Sequence, residues 1–404
     1  MKSTIAGILV LVLLVYYTAP VDAAIGQSAV ITLVMPYGAR SEAMGEVGTA
    51  LGDDESVLYF NPAGLDVPND RWQGGAGTYF NQPLLPAFQL PSLYQRGVAA
   101  NVQDSSWDLG AFGLFYNYVN MGTSDITDQL GNYIAQVESF EQVFALGWGF
   151  DFEDIGLKDQ YFGITLKGFE SDLDGSIARS LAIDLGYLWV TNLNVRFDGG
   201  NIDQNFRFGA TLMNMGPSVW YANPDLRDPI PFTINFALAY KNAFDVDNFS
   251  FFKLAGELRM EREVVTNNGD GNPPPFYDAI WSDLFHDRKS GESTFSEQMQ
   301  QWVEHLGGEL TFLNTLNLRG GYLIGIAGEQ YEKHSGYGIT LLNHLCFDYS
   351  YISSPEGYLP GIVRKFDPSA QGSSGAREGQ KEISLTLTRI LNWRQSDLQW
   401  WRER

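Results

Sequence analysis

Along much of the chain, large apolar residues occupy every second position, and the residues between them are small, polar or charged. The clearest run covers 140–152. There Phe140, Gln142, Phe144, Leu146, Trp148, Phe150 and Phe152 share one parity, and Glu141, Val143, Ala145, Gly147, Gly149 and Asp151 the other. A period of two puts successive side chains on opposite faces of an extended strand. The split recurs at 180–189, where Leu181, Ile183, Leu185, Tyr187 and Trp189 oppose Ser180, Ala182, Asp184, Gly186 and Leu188. It recurs again at 232–240, 252–259 and 383–388. Alternation by itself does not distinguish lipid from a packed second sheet. Bulky aromatics on one face, against Gly, Ala, Thr and scattered charges on the other, fit lipid outside and a plugged or narrow lumen inside.

The pattern yields about fourteen candidate strands, an even number as a bacterial single-chain barrel requires. They run at 72–80, 94–102, 107–118, 140–152, 161–169, 180–191, 205–215, 231–241, 250–260, 303–312, 316–324, 336–342, 345–352 and 381–390. Joins after odd strands include the long stretches 81–93, 119–139, 216–230, 261–302 and 353–380. Joins after even strands include the turn-sized 103–106, 314–315 and 343–344, with 192–204 as the exception. Outer-membrane barrels alternate short periplasmic turns with longer outer loops, so 261–302 becomes the largest outward loop. The expected fold class is therefore all-β, a transmembrane antiparallel β-barrel.

The start of the chain sets the compartment. Lys2 followed by apolar residues 5–17, then Val21-Asp22-Ala23, fits a signal peptide cleaved after Ala23. Beyond it no stretch approaches the ~20 apolar residues of a spanning helix. The expected organisation is a signal peptide at 1–23, an N-terminal hatch at 24–70, an outer-membrane barrel at 71–390 and a periplasmic tail at 391–404. A net charge of −22 argues against nucleic acid and against docking on anionic lipid. A single cysteine, Cys346, excludes an intramolecular disulfide.

Ahead of the first strand, residues 38–65 are rich in glycine and end in Asn61-Pro62-Ala63-Gly64, a turn that hands the chain to the barrel. The segment is small enough to plug a lumen. Asp53, Asp54 and Glu55 form an acid cluster that either pairs with lumen arginines such as Arg207 or Arg319, locking the plug, or is solvated. Catalytic signals are thin. His286, His305, His334 and His344 show no metal-ligand spacing, and parity turns His305 and Cys346 toward the lumen. The run 267–272 is rich in oxygen ligands but lacks the spacing of a calcium loop and reads as a turn. No enzymatic role, cofactor or metal is expected. Tyr116, Tyr118, Trp189, Tyr240 and Tyr322 fit interfacial girdles, and Leu84, Leu85, Phe88 and Leu90 form an apolar patch in the first outward join.

The chain resembles the PorV/PorQ family, a branch of FadL-like outer-membrane proteins. The resemblance rests on Gly38-Ala39-Arg40 with Ala43-Met44-Gly45, on Leu51-Gly52-Asp53-Asp54 leading to Asn61-Pro62-Ala63-Gly64-Leu65, and on Asn214-Met215-Gly216-Pro217. Leu318-Arg319-Gly320-Gly321-Tyr322 and Phe347-Asp348-Tyr349-Ser350-Tyr351 extend it toward the end. It implies a fourteen-strand barrel with a hatch built on Gly38, Ala39, Arg40, Met44, Gly45, Asp53, Asp54, Asn61, Pro62 and Gly64. It further implies carriage of type IX secretion cargo bearing C-terminal sorting domains, with other secretion-complex subunits as partners. Two features depart from that transfer. The chain continues past its last strand through Trp393, Trp400 and Trp401, and FadL-like proteins include transporters of long-chain fatty acids and other hydrophobic small molecules. The hatch alone does not choose between cargo handling and uptake.

Overall fold

A computed structural model describes residues 28–67, 75–86, 92–103, 109–153, 156–197, 200–246, 249–264, 275–277, 301–326, 330–342, 344–353 and 377–388. The wall is a closed barrel in which each strand pairs with its chain neighbours and β1 (Ala76–Asn81) pairs antiparallel with β14 (Lys381–Leu387). Between them run β2 (Tyr94–Gln103), β3 (Ala111–Thr127), β4 (Tyr133–Phe152), β5 (Leu157–Leu173), β6 (Ser176–Phe197) and β7 (Gly200–Met215). The circuit continues through β8 (Thr233–Val246), β9 (Phe249–Glu263), β10 (Val303–Phe312), β11 (Leu316–Gly325), β12 (Gln330–Leu341) and β13 (Leu345–Ser353). Closure leaves no unpaired edge, which is what a sheet in hydrocarbon requires. No helix among the described residues is long and apolar enough to cross a membrane.

The faces follow the alternation in the sequence. On β4, Phe144, Leu146 and Trp148 are exposed while Val143 and Ala145 are buried. On β6, Leu181, Ile183, Leu185 and Trp189 are exposed while Ala182, Asp184 and Leu188 are buried. Facing outward, stacked and tilted rings form two belts: Phe80, Tyr94, Tyr118 and Phe140 toward one end, and Phe112, Trp148, Phe150, Phe162, Tyr187 and Phe208 toward the other. Such girdles belong at the two water interfaces of a membrane barrel. Phe232 and Ile234 break the pattern. Both are buried with Val264, because Phe276 and Trp302 of the β9–β10 connection pack over them.

Two joins differ from their expected lengths, for one reason. The stretch 119–139 is not an open loop: β3 and β4 stay paired through a bulge at Asn120/Gly122 as far as Thr127 and Tyr133. The turn left between them is held by Asp128, which accepts from the amides of Leu130 and Asn132 at 2.8 Å. The stretch 192–204 is likewise a ladder, with β6 and β7 paired out to Phe197 and Gly200. Spanning a membrane needs only ~9–11 tilted residues, so both ribbons stand clear of it. On the β6–β7 ribbon Leu193 and Val195 still alternate with Asn192, Asn194 and Arg196, but all five are exposed, so both faces meet water. The even joins are then all short, and the strand ends that flank the longer joins 216–232, 264–302 and 354–380 lie together at the opposite end. That end faces outward by the loop asymmetry of such barrels. Residues 267–272, His286 and the tryptophans of the tail lie outside the described residues.

Candidate functional site: the hatch in the lumen

Residues 28–67 enter the barrel, and every residue from 37 to 67 is buried. The segment is too short for a core of its own, and only brief helical turns form: 3-10 turns at Ile31–Leu33 and Pro62–Leu65, and α-helices at Ala39–Ala43 and Val57–Phe60. Asn61 caps the last 3-10 turn by accepting from the amide of Ala63 at 3.1 Å. Its side-chain amide also donates to the carbonyls of Thr49 and Tyr187, the latter on the wall. All ten predicted hatch residues lie in this buried segment.

A collar of inward-facing glycines makes room for it. A Cβ added at Gly147 would overlap Leu58; at Gly163, the Pro62–Ala63 backbone; at Gly186, the Asn61 side chain; and at Gly209, the Thr49 carbonyl. On the far side, Gly307 and Gly321 lie against the backbone of Met44, and Gly336 against Ala43. Hatch main chain thus touches wall main chain around most of the circumference, closer than any side chain would allow.

Backbone polar groups brought this close to an apolar wall need partners. Glu257 on β9 accepts from four successive amides: Gly48 and Thr49 on one oxygen at 2.9 Å each, Ala50 and Leu51 on the other at 3.0 and 2.7 Å. Arg207 donates to the Leu51 carbonyl, Arg259 to the Glu46 carbonyl at 2.6 Å, and His305 Nδ1 meets the Gly45 carbonyl at 2.8 Å. Glu257 and Arg259 stood in the sequence as charges on the small face of β9. That parity was the available signal, but not the partners, which lie some two hundred residues away in the chain.

The acid cluster is paired, though with partners other than Arg207 and Arg319. Arg40, within the hatch, donates to Asp53 at 2.7 Å and Asp54 at 2.8 Å, and its other face binds both oxygens of Glu309 on β10 at 3.0 Å. Lys241 on β8 closes on Asp53 at 2.6 Å. Arg319 lies one step further out, holding Glu309 at 2.6 Å and Asp348 at 2.7 Å. Glu55 accepts from Ser384 at 2.9 Å. Burial would raise the Asp53 carboxyl, but Arg40, Lys241 and Arg207 outweigh it and hold it well below the usual carboxylate range. Arg40 and Lys241 make the direct ion pairs on the aspartates, while Arg207, bonded to the Leu51 carbonyl, acts on Asp53 without touching it and Arg319 acts through Glu309.

At the first outward join the outcome differs from the expectation. Leu84 is buried against Leu93 and Val119, with Met35 and Leu85 beside it, so it seals the rim and is not part of an exposed patch. Phe88 and Leu90 lie outside the described residues. His334 faces Glu332 at 3.2 Å, His344 meets the Thr388 carbonyl at 3.1 Å, and Cys346 is buried. Among the described residues no group of three or more His, Cys, Asp or Glu is set to hold a metal.

At the short-turn end of the hatch, burial and the charge of Asp151 raise the Asp66 carboxyl to about 6, against the bond Gln103 donates to it. An unfolded aspartate titrates near ~3.9, so the raised value favours the seated hatch when Asp66 is protonated. That contribution is present below ~4 and lost as pH rises through 6. Backbone hydrogen exchange at 63–67, corrected for its intrinsic pH dependence, is expected to slow from pH 7 to 5, and Asp66→Asn to remove the change. A flat wild-type profile would contradict the assignment.

No protein-family model and no curated protein matches the chain. Among solved structures, it is similar to the toluene transporter TodX of Pseudomonas putida, at 11% identity over 87% of this chain and 96% of that one, with a TM-score of 0.38. It is similar also to a FadL homologue of Pseudomonas aeruginosa, at 9% identity over 87% and 98%, TM-score 0.36. LpxR from Salmonella typhimurium follows at 8% identity over 78% and 99%, TM-score 0.32. At such identities and scores these likenesses carry nothing about activity. The chain is a closed fourteen-strand antiparallel β-barrel of the outer-membrane type, with an N-terminal hatch seated in its lumen.

Proposed function

We propose that the protein passes hydrophobic small molecules across the outer membrane, with movement of the hatch as the gate. The observation that carries this reading is the asymmetry of the hatch–wall contact. Toward β8–β14 charged wall side chains hold the hatch: Lys241 and Glu309 through ion pairs, and Glu257, Arg259 and Glu382 through bonds to its backbone. Toward β1–β7 an apolar seam predominates: Val30, Leu33, Tyr37, Leu58, Phe60 and Leu65 pack on Tyr79, Phe115, Val143, Phe169 and Met213, and Val219 and Ile230 of the outer β7–β8 connection close the top. Charged wall side chains enter on this side at Glu141, which accepts from Thr32, and at Arg207, which donates to the Leu51 carbonyl. Tyr37 stacks on Tyr79 with ring centres 4.6 Å apart. Opening this seam to water would expose apolar surface at a cost of roughly 25 cal/mol per Å². A hydrophobic solute entering it replaces the lost contacts, so the seam admits apolar molecules and resists ions.

The test is uptake. A deletion strain is expected to take up labelled long-chain fatty acid or aromatic hydrocarbon several-fold more slowly than its parent, and the gene in trans to restore the rate. Equal rates would reject the reading.

A second reading, carriage of secreted proteins, is favoured by the β3–β4 ribbon, which stands beyond the outer rim with Ile126, Leu130, Tyr133 and Ile134 exposed. The same deletion strain separates the two. Normal uptake with impaired secretion of proteins bearing C-terminal sorting domains would move the assignment to this second role.

A further inference from the structure

We propose that Arg377, at the end of the β13–β14 connection, is an outer latch on the hatch, an inference that rests on the gating reading above. Residues 377–380 form a turn closed by the Gln380 amide donating to the Arg377 carbonyl at 2.9 Å. The turn is fixed to the rim, since the Gly379 amide donates to the Ile352 carbonyl and the Ile352 amide to the Gln380 carbonyl. From this mount the Arg377 guanidinium reaches inward and meets three carboxylates. Two belong to the hatch, Glu42 at 3.2 Å and Glu46; the third is Glu332 of β12 at 3.3 Å. Gln380 joins it by donating to Glu42 at 2.7 Å.

The three glutamates are between 2% and 5% exposed, and the Arg377 side chain is 16% exposed. The cation therefore touches solvent while its partners do not. Close by, Glu382 accepts from the Gly38 amide at 2.6 Å, adding a further carboxylate beside the Ala39–Ala43 helix. Without Arg377, Glu42, Glu46 and Glu332 face one another in a buried setting, where like charges repel strongly. The helix would then be driven off the wall. Asn81 and Ser350, which also bond Glu42, are neutral and cannot balance that charge, and His334, 3.2 Å from Glu332, is not among the groups bonding the two hatch carboxylates. The arrangement gives the outer surface control of the hatch: withdrawal of one side chain, from the solvent side, unbalances the carboxylates below it. Arg40 holds the opposite face of the same helix and is not reachable from outside, being 2% exposed.

The experiment uses the full-length barrel in detergent and compares wild type, Arg377→Gln, Arg377→Lys and the double variant Arg377→Gln/Glu46→Gln. Amide hydrogen exchange is read at 41–46 and, as an internal reference, at 61–65. Arg377→Gln is expected to raise exchange at 41–46 at least tenfold while leaving 61–65 within twofold. The double variant, with one carboxylate fewer, is expected to recover part of the protection. If Arg377→Gln yields no heat-modifiable folded barrel, Arg377→Lys supplies the comparison. Its single ammonium cannot span three carboxylates, and an intermediate rise is expected. Wild-type exchange at 41–46 in whichever arginine variant folds would overturn the latch, as would failure of the double variant to recover any protection. Exchange reads the hatch directly, so this result stands apart from solute uptake: a latch can be found in a barrel that carries no hydrophobic solute, and uptake can persist where no latch exists.

Discussion

Replacing Arg40 with methionine is expected to release the hatch from the barrel wall at neutral pH while leaving the barrel folded. The side chain is 2% exposed and its three nitrogens serve Asp53, Asp54 and Glu309 together. Methionine has similar bulk and no charge, so the loss is electrostatic. Lys241 remains for Asp53 and Arg319 for Glu309, but among the described residues no other cation bonds Asp54. Removing one partner of a buried ion pair costs about 3–5 kcal/mol, comparable with the whole stability of a small domain. Hydrogen exchange at 38–56 should rise by two orders of magnitude or more, and ion conductance in planar bilayers should appear.

The defect should also depend on pH. In the wild type the Asp53 carboxyl is held well below the usual range, so its contribution is complete above ~4 and fades only as pH falls below that. In the variant the unbalanced acids can relieve their repulsion by taking up a proton, so protection should partly return near pH 5. Wild-type exchange and conductance in Arg40→Met at pH 7 would show that the network is incidental. Arg40→Lys is not a conservative control, because one ammonium cannot bind Glu309 through two donors and two aspartates besides.

The second large effect is steric, and two adjacent glycines isolate it. Gly307→Ala is expected to unseat the hatch, and Gly308→Ala to do nothing measurable. Gly307 faces inward, and its added methyl would overlap the Met44 carbonyl. Gly308 faces lipid, where a methyl would sit 3.5 Å from the nearest atom, the Ala255 carbonyl oxygen. The wall cannot yield at Gly307, because β10 is laddered to β9 and β11 on either side. The hatch must therefore move, and Met44 sits beside Gly45, itself in the left-handed region at φ 74°. Overpacking of this kind costs about 1–3 kcal/mol where neighbours can shift, and more where the neighbour is backbone. Exchange at 43–47 is the readout. Matching profiles for the two alanine variants would mean that the hatch does not bear on the wall there.

How much of this was readable beforehand depends on the range of the interaction. The inward parity of Gly147, Gly149 and Gly186 was visible, and a narrow or plugged lumen followed from it. Which hatch atoms those glycines admit was not, because the contact joins the Asn61–Pro62 turn to strands a hundred residues on. The acid cluster at 53–55 was legible as charge, but its direct partner was not, because Arg40, thirteen residues upstream of Asp53, folds back on it. Leu84 read as an exposed greasy residue, since nothing local says that Leu93 and Val119 cover it.

By itself the amino-acid order determined about fourteen strands, the face most of their membrane-spanning side chains take, and a segment at 38–65 small enough to plug the lumen. These follow from a period of two, from glycine content and from turn residues, all of which act between near neighbours. Only closure of the barrel decided the rest. It set Glu257 beneath four hatch amides, Glu309 beside Arg40 and Arg377 above Glu42, because register and strand tilt around the full circuit choose which distant side chains share a level of the lumen.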